Sequence, residues 1–493
     1  MLYQQSLALL TDLYELTMAY GYWKSQMLEN EAVFHLFFRK LPFQGGYAIA
    51  AGLESIIDYL HNWRFETSDL DYLATLKTES NTTLFEEEFL DFLHNLRFSC
   101  DIDAIQEGEV VFPYEPLIRV KGPMIQAQLL ETPLLTLVNF ASLIATKASR
   151  ICLAAGEDQV LEFGLRRAQG IDGAMTATRS SYIGGCVATS NTLAGKIFHI
   201  PVGGTHAHSW VMAFESEVDS FKAYAQAMPD NCVFLVDTYD TIEGVKHAIE
   251  VAKWLKKEGK KFLGIRLDSG DINYLSRESR RLMDNAGFDE AKIFASNELN
   301  ETLIADLKQQ GAKVAVWGVG THLVTGYGQP ALDGVYKLAA VRKRKEDPWT
   351  YKLKLSERLA KISDPGILQV RRYLHPELGY VADAIYDIPT EQKKGVSRII
   401  DPLDPTRARP ISPKMQGRDL LVPIFREGQC VYQKPDLDTI RSRCKRELLL
   451  FDNSIKRFYN PHIYPVGMEE NLYQHKRSLI DQIRENIDQE KFR

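Results

Sequence analysis

Residues 233–271, VFLVDTYDTIEGVKHAIEVAKWLKKEGKKFLGIRLDSGD, decide the fold of the central part of the chain. Two short apolar runs, 233–236 and 262–265, flank a segment in which apolar residues recur at helical spacing. In this segment, 244–258, the apolar positions are Val245, Ala248, Ile249, Ala252 and Leu255, and Gly259 is suited to end the helix. A strand, a helix and a second strand in succession predict a βαβ unit with parallel strands.

The same alternation extends from about residue 134 to about residue 340. Further apolar runs of strand length lie at 292–295 and 314–317, again separated by helical segments. Repeated βαβ units of this kind indicate the α/β class. A closed barrel and an open doubly wound sheet both fit the pattern.

The flanking regions have a different character. We predict a helix over 7–23, a strand over 32–38, helices over 53–98 and a small sheet domain over 105–130, where glycines and prolines separate short β-branched runs. After the barrel-like region the sequence is mixed and contains basic runs at 342–345, 371–372 and 393–394. We interpret these runs as solvated; closure over a phosphate is the alternative.

Composition excludes several classes of protein. The chain has 493 residues, 45% of them apolar and 25% charged, which is typical of a globular protein with a large core. Its formal net charge of -6 gives no electrostatic support for a nucleic-acid partner. The six cysteines form no Cys-x-x-Cys pair, which argues against a disulfide framework or a cysteine-rich zinc site.

The N-terminal segment does not resemble a targeting sequence. It lacks a basic region, and Asp12 and Glu15 interrupt its apolar stretch. No other segment has the uninterrupted apolar length expected of a membrane span. We therefore expect a cytoplasmic enzyme without a membrane partner.

Polar groups follow each of the four central strands. They are Asp237-Thr238-Tyr239-Asp240, Arg266-Leu267-Asp268-Ser269-Gly270-Asp271, Ser296-Asn297 and Gly318-Val319-Gly320-Thr321. The carboxyl ends of the strands of an α/β barrel converge on one face, where the active sites of this architecture lie. Ser296-Asn297 alone fits a turn or helix cap, but the four segments together predict a site.

Two of these segments, together with a further motif at 163–167, suggest a ligand with anionic parts. Consecutive N–H groups at Gly318–Thr321 are suited to hold a phosphate. Arg266 offers a two-pronged donor to a carboxylate or phosphate, although a structural ion pair competes with that reading. Asp268 and Asp271 are suited to bind ribose hydroxyls or magnesium. Phe163, followed by Arg166 and Arg167, adds a stacking face for a flat ring beside two cations.

Two histidines lie two residues apart in PVGGTHAHSW, residues 201–210. In an extended segment His206 and His208 point to opposite faces, so they are not expected to bind one metal ion together. One is then a candidate nucleophile and the other a structural residue, although spacing alone favours a core histidine with satisfied hydrogen bonds.

The ordered set of motifs resembles the nicotinate phosphoribosyltransferases, a family of type II phosphoribosyltransferases. The motifs are TDLYELTM at 11–18, NFASLIATKASR at 139–150, FGLRRAQG at 163–170, GGTHAHSW at 203–210, RLDSGD at 266–271, GVGT at 318–321 and GVYKL at 334–338. The resemblance runs from about residue 7 to beyond residue 340, and more loosely to the C-terminus. Each motif is modest by itself, and their order is specific.

The resemblance implies a fold, an assembly and a reaction. The expected domains are an N-terminal α/β (α+β) domain at 1–133, an irregular TIM-like α/β barrel at 134–345, and a C-terminal extension at 346–493 that partly packs on the N-terminal domain. The expected assembly is a homodimer with shared active sites. The expected reaction forms nicotinate mononucleotide and diphosphate from nicotinate and PRPP in NAD salvage. It uses ATP through a phosphohistidine, with Mg²⁺ or Mn²⁺.

The resemblance also assigns roles to individual residues. It makes His208 the phosphorylated histidine, with His206 an additional histidine whose role it leaves open. Nicotinate is expected to contact Thr205, Arg266 and Phe163, and also Tyr14, which the resemblance places on the partner subunit. Arg166, Arg167, Gly320 and Thr321 are expected to hold the phosphates of PRPP. Asp268 is expected to act on the ribose hydroxyls or the magnesium–diphosphate unit.

Three other functions compete with this one. A nicotinamide phosphoribosyltransferase would share the fold and the histidine chemistry and would differ in how the pocket treats a neutral amide. A type I phosphoribosyltransferase is suggested by VFLVDTYDT at 233–241, but Thr238 stands where that motif has a second acid. A non-catalytic regulatory protein on this scaffold would be expected to lack His208 or the strand-end arginines, and the chain has both.

Overall fold

The structure is a computed structural model that describes residues 6–390 and 395–491. The chain forms two compact units, one from residues within Met1–Leu143 and Ala331–Arg493 and the other from Ile144–Pro330. Residues 346–493 thus share a unit with the N-terminal part of the chain, and the three-domain division remains a prediction. The basic pair Lys393-Lys394 lies outside the described residues.

The first part of the chain alternates short strands with helices. Its strands are β1 (Glu31–Phe38), β2 (Ala48–Ile49), β3 (Asp101–Ile105), β4 (Val110–Val111) and β5 (Ile118–Pro123). Its helices are α1 (Leu13–Lys24), α2 (Leu53–His61), α3 (Thr67–Thr75), α4 (Glu87–Asn95), α5 (Met124–Leu129) and α6 (Glu131–Ala155). The predicted helix and strand near the N-terminus are confirmed, the helix beginning at Leu13.

The middle of the chain forms the predicted βαβ series. The strands are β6 (Gln159–Glu162), β7 (Ala188–Thr189), β8 (Val233–Leu235), β9 (Gly264–Leu267), β10 (Lys292–Ala295) and β11 (Val316–Val319). The helices are α7 (Gly170–Ile183), α8 (Thr192–Phe198), α9 (His208–Met212), α10 (Glu217–Ala227), α11 (Thr241–Lys257), α12 (Ile272–Asn285), α13 (Glu301–Gln309) and α14 (Thr321–Val324). Helix α11 begins three residues before its apolar pattern because the Asp240 side chain accepts a hydrogen bond from the Glu243 N–H.

These six strands form one parallel sheet in the order β7-β6-β11-β10-β9-β8. Between residues 144 and 330, all of which are described, no ladder joins the edge strands β7 and β8, so the closed form of the barrel is not confirmed. The order brings the carboxyl ends of β8, β9 and β10 side by side, and those of β6 and β11 side by side.

The last part of the chain is mainly β. Its strands are β12 (Gly334–Arg342), β13 (Thr350–Tyr351), β14 (Leu368–His375), β15 (Gly379–Asp387), β16 (Arg398–Ile400), β17 (Ala408–Pro410), β18 (Gln416–Asp419), β19 (Leu421–Arg426), β20 (Gln429–Cys430) and β21 (Val466–Glu469). Helices α15 (Leu437–Leu450) and α16 (Glu470–Lys491) complete it. Two larger sheets result, β13-β12-β1-β5-β3-β19-β20 and β17-β16-β21-β15-β14-β18, the first of which combines strands from both ends of the chain.

The interpretation of the basic run at 371–372 as solvated is wrong for Arg372. Neighbouring residues of β14 point to opposite faces, and Arg372 is fully buried. Its guanidinium forms an ion pair of 2.6 Å with the buried Asp383 carboxylate and lies 5.1 Å from the centre of the Phe451 ring. A buried charge needs such a partner, and the sequence pattern did not reveal one because Asp383 lies on the next strand.

One helical stretch, Met124–Ala155, is long and apolar enough by length and composition to cross a bilayer. The stretch is not uninterrupted, because Glu131, Lys147 and Arg150 lie within it. Two-thirds (67%) of its most apolar window is buried inside the protein, as in the core helix of a globular fold.

We expect His35 to make the unit that contains β1 sensitive to acid. The imidazole is buried and its Nε2 accepts a hydrogen bond of 3.3 Å from the Leu368 N–H. Burial, reinforced by Arg119, lowers the pKa of His35 to about 3, so the unfolded chain binds a proton below pH ~6.5 that the native state does not bind until pH ~3. Stability should therefore fall as the pH decreases through this window, by up to about 1.4 kcal/mol per pH unit.

The measurement is the thermal unfolding midpoint of wild type and His35→Gln at pH 7 and pH 5. We expect the wild type to lose more stability than the variant between the two pH values, because glutamine does not titrate. An equal loss in both proteins would show that His35 does not contribute to the acid sensitivity.

Candidate active site

His208 lies at the beginning of α9, beside the carboxyl ends of two strands. Its Nδ1 is 3.1 Å from the Thr238 hydroxyl, and its Nε2 is 4.0 Å from Asp237 Oδ1 and 3.8 Å from Asp268 Oδ2. The side chain is 38% exposed. The imidazole is therefore oriented by residues that follow β8 and β9, yet it remains accessible to a reactant.

Three consecutive strands are linked at this edge through their first polar residues. Asp237 Oδ2 accepts hydrogen bonds from the Asp268 N–H (2.9 Å) and the Ser269 hydroxyl (2.7 Å). The Ser296 hydroxyl donates to Asp268 Oδ1. Ser296 does not cap α13, whose N-cap is Asn300, and its hydroxyl group instead supports Asp268.

Asp237 and Thr238 lie in the first of the four strand-end segments, but the sequence analysis assigned a role to neither. The Asp237 side chain is 1% exposed, and its Oδ1 accepts no hydrogen bond from the described residues. Leaving a buried carboxylate oxygen without a partner costs free energy, so such an atom is expected where a ligand or an ion supplies the missing contact. The signal was present in the sequence, since both residues directly follow an apolar strand.

Arg266 and Thr205 form a second group of donors on this face. Arg266 Nη1 donates a hydrogen bond to the Thr205 hydroxyl, and the buried Nε has no partner within the described chain. Burial lowers the pKa of Arg266, and the carboxylates of Asp268 and Asp237 oppose this effect. A half-buried arginine with a buried, unused Nε donor is well suited to bind a carboxylate.

His206, whose role the sequence left open, makes structural contacts inside the protein. Its Nε2 accepts a hydrogen bond of 3.3 Å from the Leu235 N–H in β8, and its ring meets the Tyr224 ring edge-on at 4.8 Å. Burial lowers the pKa of His206 to about 4, so the ring is neutral near pH 7. His206 is thus buried against β8 while the His208 side chain is 38% exposed, and His206 holds the loop that carries His208 against the sheet.

Phe163 follows β6 and lies against Gly318 within β11 and Gly320 directly after it. Its N–H donates to the Val319 carbonyl oxygen at 2.8 Å. A Cβ atom at Gly318 would lie 2.7 Å from the Phe163 ring, and one at Gly320 would lie 3.1 Å from the Phe163 carbonyl oxygen. The absence of side chains at both positions therefore lets the aromatic residue occupy this place.

The predicted phosphate-binding residues lie at the same two strand ends. Arg166 and Arg167 are on a 3₁₀ turn, Leu165–Arg167, and both are exposed. In the described part of the chain, no ion pair or side-chain hydrogen bond occupies either guanidinium. Gly320 caps the short helix α14, whose first residue, Thr321, is exposed. Because Glu162 of β6 pairs with Val319 of β11, the arginine turn and the glycine turn are neighbours.

Tyr14 belongs to the other compact unit, on α1, and is 46% exposed. Desolvation raises the pKa of Tyr14 to about 12, together with the neighbouring carboxylates of Glu131 and Glu15. The phenol is therefore neutral, as a stacking ring should be, and its contact with a substrate remains a prediction.

Sequence models of three domains match the chain in order. They are described as the nicotinate phosphoribosyltransferase N-terminal domain, matched by residues 9–139, the nicotinate phosphoribosyltransferase family, by 159–355, and the C-terminal domain, by 369–476. The chain belongs to the nicotinate phosphoribosyltransferase family. It is an enzyme of this family, and the match at 159–355 contains every strand-end residue described above.

Relatives in this family extend over nearly the whole chain. A nicotinate phosphoribosyltransferase of Bacillus subtilis is 43% identical and covers 98% of this chain and 97% of its own. One of Dictyostelium discoideum is 39% identical, with coverage of 94% and 87%. The crystal structure of human nicotinic acid phosphoribosyltransferase is 32% identical, with a TM-score of 0.82 and coverage of 95% and 99%. The mixed α/β fold is thus that of the family.

Proposed function

We propose that the chain transfers the ribose phosphate of PRPP to the ring nitrogen of nicotinate and couples this transfer to ATP hydrolysis through a phosphorylated His208. The observation that carries the proposal is the position of His208. Its accessible imidazole lies within 4.0 Å of carboxylates that follow β8 and β9, on the face that also holds Arg266 and Thr205. Nicotinate mononucleotide and diphosphate are the products, as expected in NAD salvage.

Nicotinate needs a partner for its carboxylate and a surface for its ring. Arg266 supplies a charge-assisted donor, and Thr205 fixes the direction of the guanidinium. Phe163 supplies one face for the ring, and Tyr14 of the partner subunit supplies the other. This arrangement positions the ring nitrogen, which has its own lone pair, so no strong general base is required.

PRPP carries its negative charge at two ends. Gly320 and Thr321 offer N–H groups to the 5′-phosphate, and beside them lie Arg166 and Arg167, whose guanidinium groups have no partner among the described residues. Loss of diphosphate from C1 of the ribose develops positive charge on the sugar and negative charge on the leaving group. The arginines stabilise the leaving group, while Asp268 is placed to act on the ribose hydroxyls.

The residues at the β8 and β9 ends fit a divalent cation. Among the described residues no group of three or more metal-ligating side chains forms a complete site. Asp237 Oδ1, which accepts no hydrogen bond from the described residues, and Asp268 Oδ2 are nevertheless hard oxygen donors, and both lie within 4.0 Å of His208 Nε2. Magnesium typically takes one or two carboxylates and completes its shell with substrate phosphates and water. When bound, Mg²⁺, or Mn²⁺ in its place, would neutralise phosphate charge.

ATP enters through a separate covalent step. A nitrogen of His208 attacks the γ-phosphorus, the bond to the bridging oxygen breaks and ADP leaves; water later displaces phosphate from the histidine. The Thr238 hydroxyl and the carboxylates around the imidazole fix the direction of the ring for this attack. Formation and loss of the phosphohistidine then connect ATP hydrolysis to substrate binding and product formation.

Three broader features complete the proposal. The parallel sheet is part of an irregular TIM-like barrel, the active protein is a homodimer with shared sites, and it acts in the cytoplasm. The exposed Tyr14 and the strand-end location of the site support the first two features.

The test is product formation from PRPP with nicotinate or nicotinamide, each with and without ATP and Mg²⁺. We expect the mononucleotide from nicotinate, faster with ATP and accompanied by ADP. Preference for nicotinamide would replace the proposed substrate with its amide. Turnover of neither pyridine would refute the proposal.

A further inference from the structure

A buried carboxylate precedes the stacking ring of Phe163. Glu162 is the last residue of β6 and is 1% exposed. Its Oε1 accepts a hydrogen bond from the Gly164 N–H, which lies on the other side of Phe163 in the chain. This hydrogen bond therefore connects the two residues on either side of Phe163 in the chain.

The other carboxylate oxygen is held by hydroxyl groups from two neighbouring elements. Glu162 Oε2 accepts hydrogen bonds from Thr178 of α7 (3.0 Å) and Thr189 of β7 (2.6 Å). Asn191 donates to Thr178 Oγ1 at 3.2 Å through its side chain and to Thr189 Oγ1 at 3.0 Å through its N–H. This set, Glu162 with Thr178, Thr189 and Asn191, is buried throughout and fixes the direction of the carboxylate.

Charge pairing does not explain Glu162. Within residues 6–390 and 395–491 no lysine, arginine or histidine forms an ion pair with it. Burying a carboxylate without a cation is costly, and the cost is met here by hydrogen bonds alone. One of these bonds goes to the loop of the active site.

The loop tolerates little movement at this point. A Cβ atom at Gly164 would overlap the Val324 side chain and lie 3.0 Å from Glu162 Oε1. On the opposite side Phe163 is in contact with Gly318, as described above. The buried set around Glu162 thus contacts the loop through the Gly164 N–H. This contact determines where the neighbouring residue, Phe163, lies.

We propose that Glu162 is a positioning residue for nicotinate, which holds the Gly164 N–H and thereby keeps the Phe163 ring in the orientation that the substrate requires. This inference rests on the proposed function. Without the hydrogen bond the loop samples other orientations, and the apparent affinity falls in proportion to the fraction of molecules that remain competent. PRPP contacts the glycine turn and its affinity should change less.

The experiment compares four variants with the wild type for the KM of nicotinate, the KM of PRPP, kcat and the unfolding midpoint. Glu162→Ala removes the hydrogen-bond acceptor. Glu162→Asp keeps the charge, but its shorter side chain moves the carboxylate away from the Gly164 N–H. We expect each to raise the KM of nicotinate by about tenfold, with a smaller change for PRPP. Glu162→Gln keeps an acceptor for the Gly164 N–H, and its NH₂ group donates to the threonine hydroxyls, so this variant should restore the KM of nicotinate to within about threefold.

Thr178→Val is the matched control, because it removes one bond to Glu162 but leaves the Gly164 contact intact. Because Thr189 still holds the carboxylate, it should lower the unfolding midpoint and raise the KM of nicotinate by no more than about threefold, well below the effect of Glu162→Ala. If Glu162→Ala does not fold, the KM of nicotinate in Glu162→Asp and Glu162→Gln tests the inference. An unchanged KM of nicotinate in Glu162→Asp, an equal rise in Glu162→Gln or Thr178→Val, or an equal rise for PRPP would overturn the inference. Wild-type failure to use nicotinate would instead overturn the proposed function.

Discussion

Replacement of His208 by alanine is expected to abolish the acceleration by ATP while slow transfer to nicotinate continues. The imidazole is the accessible nucleophile between Asp237 and Asp268, and alanine offers no nitrogen to phosphorylate. The strand-end groups that bind nicotinate and PRPP are separate side chains and remain. The ratio of rates with and without ATP should therefore fall to about 1, and ADP should no longer form with product.

The measurement combines initial rates of mononucleotide formation with γ-³²P-ATP labelling of the protein. His247→Gln is a suitable control, because His247 lies on α11 and its Nδ1 is 2.7 Å from Glu217, outside the group described here. We expect this control to keep both the label and the acceleration. Full stimulation by ATP in His208→Ala would refute the assignment of the phosphohistidine.

Replacement of Arg266 by glutamine is expected to reduce kcat/KM for nicotinate on the order of 100-fold, the effect of losing a buried charge-assisted bond to a carboxylate. Nicotinamide has no charge at that position, so its kcat/KM should change far less. The variant should therefore lose most of the preference for the acid. Both constants can be measured with one assay and the two pyridines.

The unfolding midpoint of the variant distinguishes substrate binding by Arg266 from the structural ion pair that the sequence also allowed. Burial lowers the pKa of Arg266 despite Asp268 and Asp237, so the folded protein bears a net cost for this charge. Glutamine should accordingly leave the unfolding midpoint unchanged or raise it. Arg281→Gln, on the exposed surface of α12, is the control and should keep the substrate preference. A large fall in the midpoint with an unaltered preference for nicotinate would identify Arg266 as a structural residue.

Most of the central fold could be predicted because its signals are local. Apolar runs of four residues and helical periodicity located β8, β10 and α11 to within three residues. Strands β9 and β11 lie two residues beyond their predicted positions. At Gly264 a Cβ atom would collide with the Lys292 backbone, so the start of β9 is determined by its neighbour β10. Contacts of this kind involve residues 28 positions apart and leave no periodic signal.

The candidate site divides in the same way. The sequence by itself determined which chemical groups follow the strands, among them Arg266, Asp268 and the glycines at 318 and 320, because each group directly follows an apolar run. Only the tertiary structure decided how these groups are used. His206 packs in the core, whereas His208 remains accessible. Asp237 and Ser296, which follow the adjacent strands, form hydrogen bonds with Asp268. Hydrogen bonds between strands depend on which strand lies beside which, and that order is set by packing of the whole sheet.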